Sequence, residues 1–253
     1  MPLTNTHFVL LGIITLTALS YLKSCVIIQQ PSQGNSVRVI YLLEVNQMKN
    51  SAGDPGFPIW LIGDSPPEKW ASKLDSPLDA KHPARHNIWT SVADSMQDRL
   101  YRQGRLRLDT SRLYIRNATD RPLTTSTIQA QTQLSQKILQ ELIDKYKPKI
   151  ILTFGVFAFM TILLASGESP QKFFKTTKLL GEQFRSRIND YDDHKVNVIP
   201  LLHTSIARGR FLESHRDFVG TEGKTHPNYF DYVGGKLADL LLAKFSDKPA
   251  WIV

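Results

Sequence analysis

Four short apolar runs punctuate the chain, and three of them end in a polar cluster. Ile59-Trp-Leu-Ile62 leads into Gly63-Asp64-Ser65-Pro66-Pro67, and Leu113-Tyr-Ile115 leads into Arg116-Asn117. Lys149-Ile-Ile-Leu-Thr-Phe154 leads into Gly155, and Val196-Asn-Val-Ile-Pro-Leu-Leu202 leads into His203-Thr204-Ser205. Continuous apolar runs of this length read as strands buried on both faces. Between them lie stretches with helical spacing. Ile88, Val92 and Met96 recur in a segment that Asn87 can cap and that runs to about Tyr101, with Gly104 ending the unit. From Ile128 to Tyr146 the pattern predicts a helix with Leu134, Ile138, Leu142 and Ile143 on one face. Val156 to Ala165 reads as a buried helix, and Asn228 to Phe245 as a terminal one with Leu237, Leu240 and Leu241 inward. Strands alternating with helices predict an α/β fold with a parallel sheet.

In such sheets ligands bind beyond the carboxyl ends of the strands. Asp64, Ser65, Asn117, His203 and Ser205 all stand at predicted strand ends. The topology therefore predicts that they converge on one crevice although they lie far apart along the chain. Taken singly, each has a plainer reading: a strand-end Asp caps the next helix, an Asn makes a turn, a His is hydrogen-bonded for structure.

Composition adds a partner class. The formal net charge is +8 and the isoelectric point is near 9.5, which favours a polyanion such as DNA. A stretch with Lys172, Lys175, Lys178, Arg185 and Arg187 interleaved with Phe173, Phe174 and Phe184 reads equally as a nucleic-acid contact or as an amphipathic surface. The single cysteine, Cys25, excludes a disulfide framework and a four-thiolate cluster built within this chain. His82, Arg85 and His86 have no convincing ligand spacing, so neither a metal nor a cofactor is expected.

The start of the chain differs from the rest. Phe8 to Leu22 is nearly all apolar, short of the roughly 20 residues a membrane span needs, and extending it to Ile28 takes in Lys23. A weak membrane anchor through residues 8–28, a packed helix and a non-native extension all fit. The alternation is complete within residues 50–253. The expected division is thus an N-terminal extension over 1–47 and a domain over 48–253, with Met48 as a candidate initiator. A cytoplasmic monomer is the expectation.

The motifs, in order, resemble the uracil-DNA glycosylase superfamily over about residues 58–245. Gly63-Asp64-Ser65-Pro66 resembles its Gly-x-x-Pro motif after the first strand, and Leu113-Tyr-Ile-Arg-Asn117 its Asn at the end of the second. Ala118-Thr-Asp-Arg-Pro122 resembles a loop of the iron–sulfur branch, without the cluster cysteines. Leu139 to Gly155 resembles its helix and Pro-Lys-hydrophobic-Gly strand, and His203-Thr204-Ser205 its His-Pro-Ser motif, with Thr204 in place of proline. Members stack the extruded base on an aromatic residue; Trp70 is the nearest candidate here.

The resemblance implies a three-layer α/β/α domain around a four-stranded parallel sheet in the order 2-1-3-4. It implies excision of uracil or a related damaged base, with Asp64 and His203 catalytic and Asn117 contacting the base. Ser65, Ser205, Arg208 and Arg210 would then hold DNA phosphates. Two rivals stand beside it. One is a protein of the same fold that binds nucleic acid or nucleotide without catalysis. The other is a GDS-type serine esterase, resembled by Ile62-Gly-Asp-Ser65 and His226-Pro-Asn228, with Ser65 as nucleophile and His226 as base; Gly223 stands where that block carries its Asp.

Overall fold

In the computed structural model, residues 51–69, 89–109, 111–124, 128–169, 176–203, 205–207, 211–224 and 228–245 are described. Contacts divide the chain at Asn46, and all described residues belong to the unit Gln47–Val253. The apolar runs form strands β2 (Ile59–Gly63), β3 (Tyr114–Asn117), β4 (Ile150–Phe154) and β5 (Asn197–Leu201). Every residue of β4 and β5 is buried, as are the first four of β2. Side chains alternate across a strand, so burial of consecutive residues requires cover on both faces.

The sheet has the order β1-β3-β2-β4-β5. The expected four-stranded, all-parallel sheet is therefore corrected to a five-stranded mixed one. β2 pairs in parallel with β3 and with β4, and β4 with β5, while the added strand β1 (Ser51–Ala52) runs antiparallel to β3. β1 is only two residues long, too short to show a periodicity in the sequence. β5 lies at the other edge, which tolerates Pro200 because an edge strand leaves one side of its backbone without a ladder partner.

Among the described residues six α-helices accompany these strands: α1 (Trp89–Gly104), α2 (Ile128–Tyr146), α3 (Val156–Ala165), α4 (Thr177–Asn189), α5 (Leu212–Val219) and α6 (Tyr229–Phe245). α2 packs on α3, and α1 on α6. In α1 the stripe Val92, Met96 and Leu100 is fully buried. The inward face of α2 is Ser135, Leu139 and Ile143, which corrects the expected face. Leu134 is 61% exposed, so of the expected residues only Ile143 is buried. A rotation by one residue admits a buried serine that hydropathy alone does not place inside. α4 and α5, together with a short 3-10 helix at Gly220–Lys224, occupy segments that the sequence presents as basic or polar.

The core is aromatic and tightly set. Trp60 meets Tyr114 edge-on at 4.9 Å, and its indole N–H donates to the carbonyls of Pro55 and Phe57. Phe184 of α4 packs against Phe218 of α5 and Tyr232 of α6. Arg185 and Arg187 are engaged inside this framework. Arg185 donates to the carbonyls of Phe218 and Val219, while Arg187 pairs with both carboxylate oxygens of Glu168 and lies over the Phe159 ring. Of the basic stretch, only Lys178 among the described residues presents an exposed cation. Lys172, Phe173, Phe174 and Lys175 lie outside the described residues. No helix among the described residues is long and apolar enough to cross a membrane. The N-terminal apolar stretch, including residues 8–28, Cys25 and Met48, falls outside them as well.

Candidate active site

β2 and β4 are neighbouring parallel strands, so the residues just past their carboxyl ends share one edge of the sheet. Asp64 follows β2, Gly155 follows β4 and begins α3, and His203 follows β5. Gly155 has φ 96° and ψ 169°, a region that is essentially closed to residues with a β-carbon. A β-carbon there would also lie 3.0 Å from His203 Cβ and 3.2 Å from each carboxylate oxygen of Asp64. Glycine thus lets the strand turn into the helix and leaves room for the two side chains to meet over it. Gly155→Ala is expected to cost about 1–3 kcal/mol from backbone strain, seen as a lower denaturation midpoint, and to perturb the His203 ring signals in NMR.

Asp64 Oδ2 lies 3.4 Å from His203 Nε2, and Asp64 Oδ1 accepts from the Ala158 backbone N–H at 2.9 Å. That N–H belongs to the first turn of α3, where the helix dipole favours an anion. Burial raises the Asp64 pKa above the ordinary carboxylate value, against the lowering pull of His203 and of the Ala158 N–H. The ionised carboxylate is therefore under strain in the free protein, and a positive charge arriving beside it would relieve that strain.

The His203 ring is oriented from its other nitrogen. The Ser205 N–H donates to Nδ1 at 3.2 Å, and the Ser205 hydroxyl lies 2.8 Å from the same atom. An Nδ1 that accepts carries no proton, so the ring proton sits on Nε2, toward Asp64. Asn117 completes the group. It pairs in register with Gly63 across β3 and β2, and its Oδ1 would lie 2.7 Å from a β-carbon at Gly63. The chain beyond it is tied to the Asp64 segment, for Ala118 N–H donates to Gly63 O and Thr119 N–H to Asp64 O.

Asp64, Asn117 and His203 therefore gather at the carboxyl edge of the parallel strands. Ser65 is half-buried beside Asp64, and Ser205 is exposed with its hydroxyl on the His203 ring. Arg208 and Arg210, Thr204, Trp70, His82, Arg85, His86 and His226 lie outside the described residues. Among the described residues no group of three or more His, Cys, Asp or Glu is placed to hold a metal ion. Sequence reasoning missed the supports of the site: Gly155 as its floor, the Ala158 N–H, and His215 and Tyr229 behind the His203 segment. A glycine at a strand-to-helix junction was a usable signal for the first. The others carry none, because a buried His on a polar-looking helix is indistinguishable in sequence from a solvated one.

His215 is buried, and its pKa is lowered by that burial. A histidine that resists protonation only in the folded state adds stability above its unfolded pKa of about 6.5 and forfeits it as pH falls through its lower folded value. Stability should therefore decline below about pH 6.5, and His215→Gln should flatten that decline in denaturation curves taken across pH.

What the fold and site define is an α/β protein with a carboxylate–imidazole pair at the carboxyl end of parallel strands. No protein-family model matches this chain, and no curated protein matches it.

Proposed function

We propose that this protein is a DNA glycosylase that removes uracil or a related damaged base by hydrolysing the N-glycosidic bond. The observation that carries the reading is the Asp64–His203 pair, 3.4 Å apart, with Asn117 on the adjoining strand end. The parallel neighbours β3-β2-β4-β5, with β4 and β5 buried throughout, and the packing of α2 on α3 and of α1 on α6 support a three-layer glycosylase-like domain.

The chemistry follows from charge. The target nucleotide must leave the base stack, which costs a few kcal/mol. As the glycosidic bond breaks, the sugar becomes cationic and the base anionic. The Asp64 carboxylate stabilises the cation and orients the attacking water, whose hydroxyl joins the sugar carbon while its proton goes to the base. His203 Nε2–H, which faces Asp64 in the free protein, turns on base extrusion to donate to the oxygen where the base's negative charge develops, an interaction that strengthens in the transition state. Asn117 offers one donor and one acceptor to the edge of a pyrimidine. The excess of positive charge, with Arg208 and Arg210, binds phosphates; Ser65 and Ser205 are candidates for the phosphates flanking the extruded base, although the Ser205 hydroxyl must then leave His203.

Oligonucleotides bearing uracil, hypoxanthine or xanthine, single- and double-stranded, test the proposal through alkali cleavage of abasic sites. Cleavage of at least one substrate is expected, as is DNA binding that weakens steeply with salt. Binding without cleavage would replace this reading with a non-catalytic one. Labelling of Ser65 by a fluorophosphonate, without cleavage, would replace it with an esterase.

A further inference from the structure

The segment that carries His203 is anchored from behind at two points. Ahead of it, Leu202 N–H donates at 3.0 Å to the hydroxyl of Tyr229, in the first turn of α6. Behind it, His215 Nε2 lies 3.1 Å from the carbonyl of Ile206. A carbonyl only accepts, so His215 carries its proton on Nε2. The two anchors touch each other. The His215 and Tyr229 rings lie 5.3 Å apart, and Phe230 packs edge-on against both, at 5.7 Å and 5.3 Å. Tyr229 also meets Phe218 edge-on. Tyr229 is 1% exposed and His215 is 5% exposed.

The anchors are themselves fixed. Asn228 accepts from the Asp231 N–H and caps α6, and Asp231 accepts from Ser95 of α1. Between the anchors the chain turns back on itself, with the Ile206 and Ala207 N–H groups both donating to His203 O. The direction of the His203 ring then depends on where Ser205 stands, since Ser205 supplies both groups on Nδ1. A shift of the turn carries Ser205 with it and frees the ring to rotate or to change tautomer.

We propose that His215 and Tyr229 are positioning residues: through Ile206 O and Leu202 N–H they hold the turn that aims His203 Nε2 at Asp64. Its catalytic meaning rests on the glycosylase reading; the positioning itself does not. Among the described residues, Asp64 faces His203, Asp231 faces Ser95 and Asn228, and Arg185 donates to the carbonyls of Phe218 and Val219 beside Tyr229.

The test uses the full chain and NMR, without turnover. His215→Phe keeps an aromatic ring but removes the donor, Tyr229→Phe removes the acceptor, and His215→Gln restores an N–H near the position of Nε2. In the two phenylalanine variants, amide exchange at Leu202, Ile206 and Ala207 is expected to speed up roughly tenfold, the size set by one lost hydrogen bond. The ring nitrogens of His203 should change from a single Nε2–H tautomer to a mixture. β4 amides should be unaffected, and His215→Gln should recover the wild-type pattern. An unchanged His203 ring in both phenylalanine variants overturns the proposal. So does faster exchange spread evenly over β4 and β5, which is the mark of a purely structural role. If the NMR changes appear but no oligonucleotide is cleaved by the wild type, the positioning stands and the glycosylase reading fails.

Discussion

Asp64→Asn should slow base release by roughly 10²–10³-fold, the range measured when one preorganised electrostatic stabiliser is removed, and should at the same time raise the melting temperature. The activity loss follows because an amide cannot balance the charge of the developing sugar cation. The stability gain follows from the sign of the pKa shift. Burial raises the carboxyl pKa in the fold, so the native state holds that proton more tightly than the unfolded chain does. The stability linked to this proton is present at pH below the unfolded pKa and is lost as pH rises through the folded one. Near neutral pH the wild type therefore carries an unfavourable ionised group that the variant lacks. The variant's advantage should shrink as the solution is acidified. A lower melting temperature for Asp64→Asn at neutral pH would contradict this. His203→Ala should lose activity on the same scale, with DNA affinity retained in both variants.

Gly181→Ala should be among the most damaging single substitutions in the molecule, costing about 3 kcal/mol or more. Gly181 is buried in α4 against α5, and a β-carbon there would lie only 1.9 Å from the carbonyl oxygen of Phe218. The obstacle is backbone, which cannot rotate aside. At about 2–4 °C per kcal/mol for a domain of this size, the melting temperature should drop by roughly 6–12 °C. The adjacent pair Gly234 and Gly235 provides an internal control. A β-carbon at Gly234 would lie 2.5 Å from Ser95 Cβ and 2.9 Å from Val92 O, where α6 crosses α1. At Gly235 it would meet nothing within 4 Å. Gly234→Ala should destabilise by about 1–3 kcal/mol, whereas Gly235→Ala should stabilise by about 0.5–1 kcal/mol, since alanine loses less backbone entropy in a helix.

The strands were legible because burial on both faces leaves an unbroken apolar run. Ile59–Gly63 and Ile150–Phe154 fall within one residue of the runs read from sequence. α3 was legible for the same reason and α2 and α6 from helical spacing, although the inward face of α2 was misjudged because Ser135 is buried and Leu134 is not. α4 and α5 were not legible. Their buried residues are few, Leu180, Gly181 and Phe184 in one and His215, Phe218 and Val219 in the other, and basic or polar residues surround them. The grouping of Asp64, Asn117 and His203 could be reached from strand order, because parallel topology sends successive strand ends to one edge. Their supports could not. Hydrogen bonds such as Ala158 N–H to Asp64 and Leu202 N–H to Tyr229 use backbone groups that every residue possesses.

The most direct measurement is a single-turnover reaction of the wild-type protein in excess over a uracil-containing oligonucleotide. Free base and alkali-labile ends are then quantified in the same sample. Equal amounts of the two are expected, appearing at one rate, with both lost in Asp64→Asn and His203→Ala while the oligonucleotide stays bound. Bound oligonucleotide with no free base, for uracil and then for hypoxanthine and xanthine, would contradict the glycosylase reading.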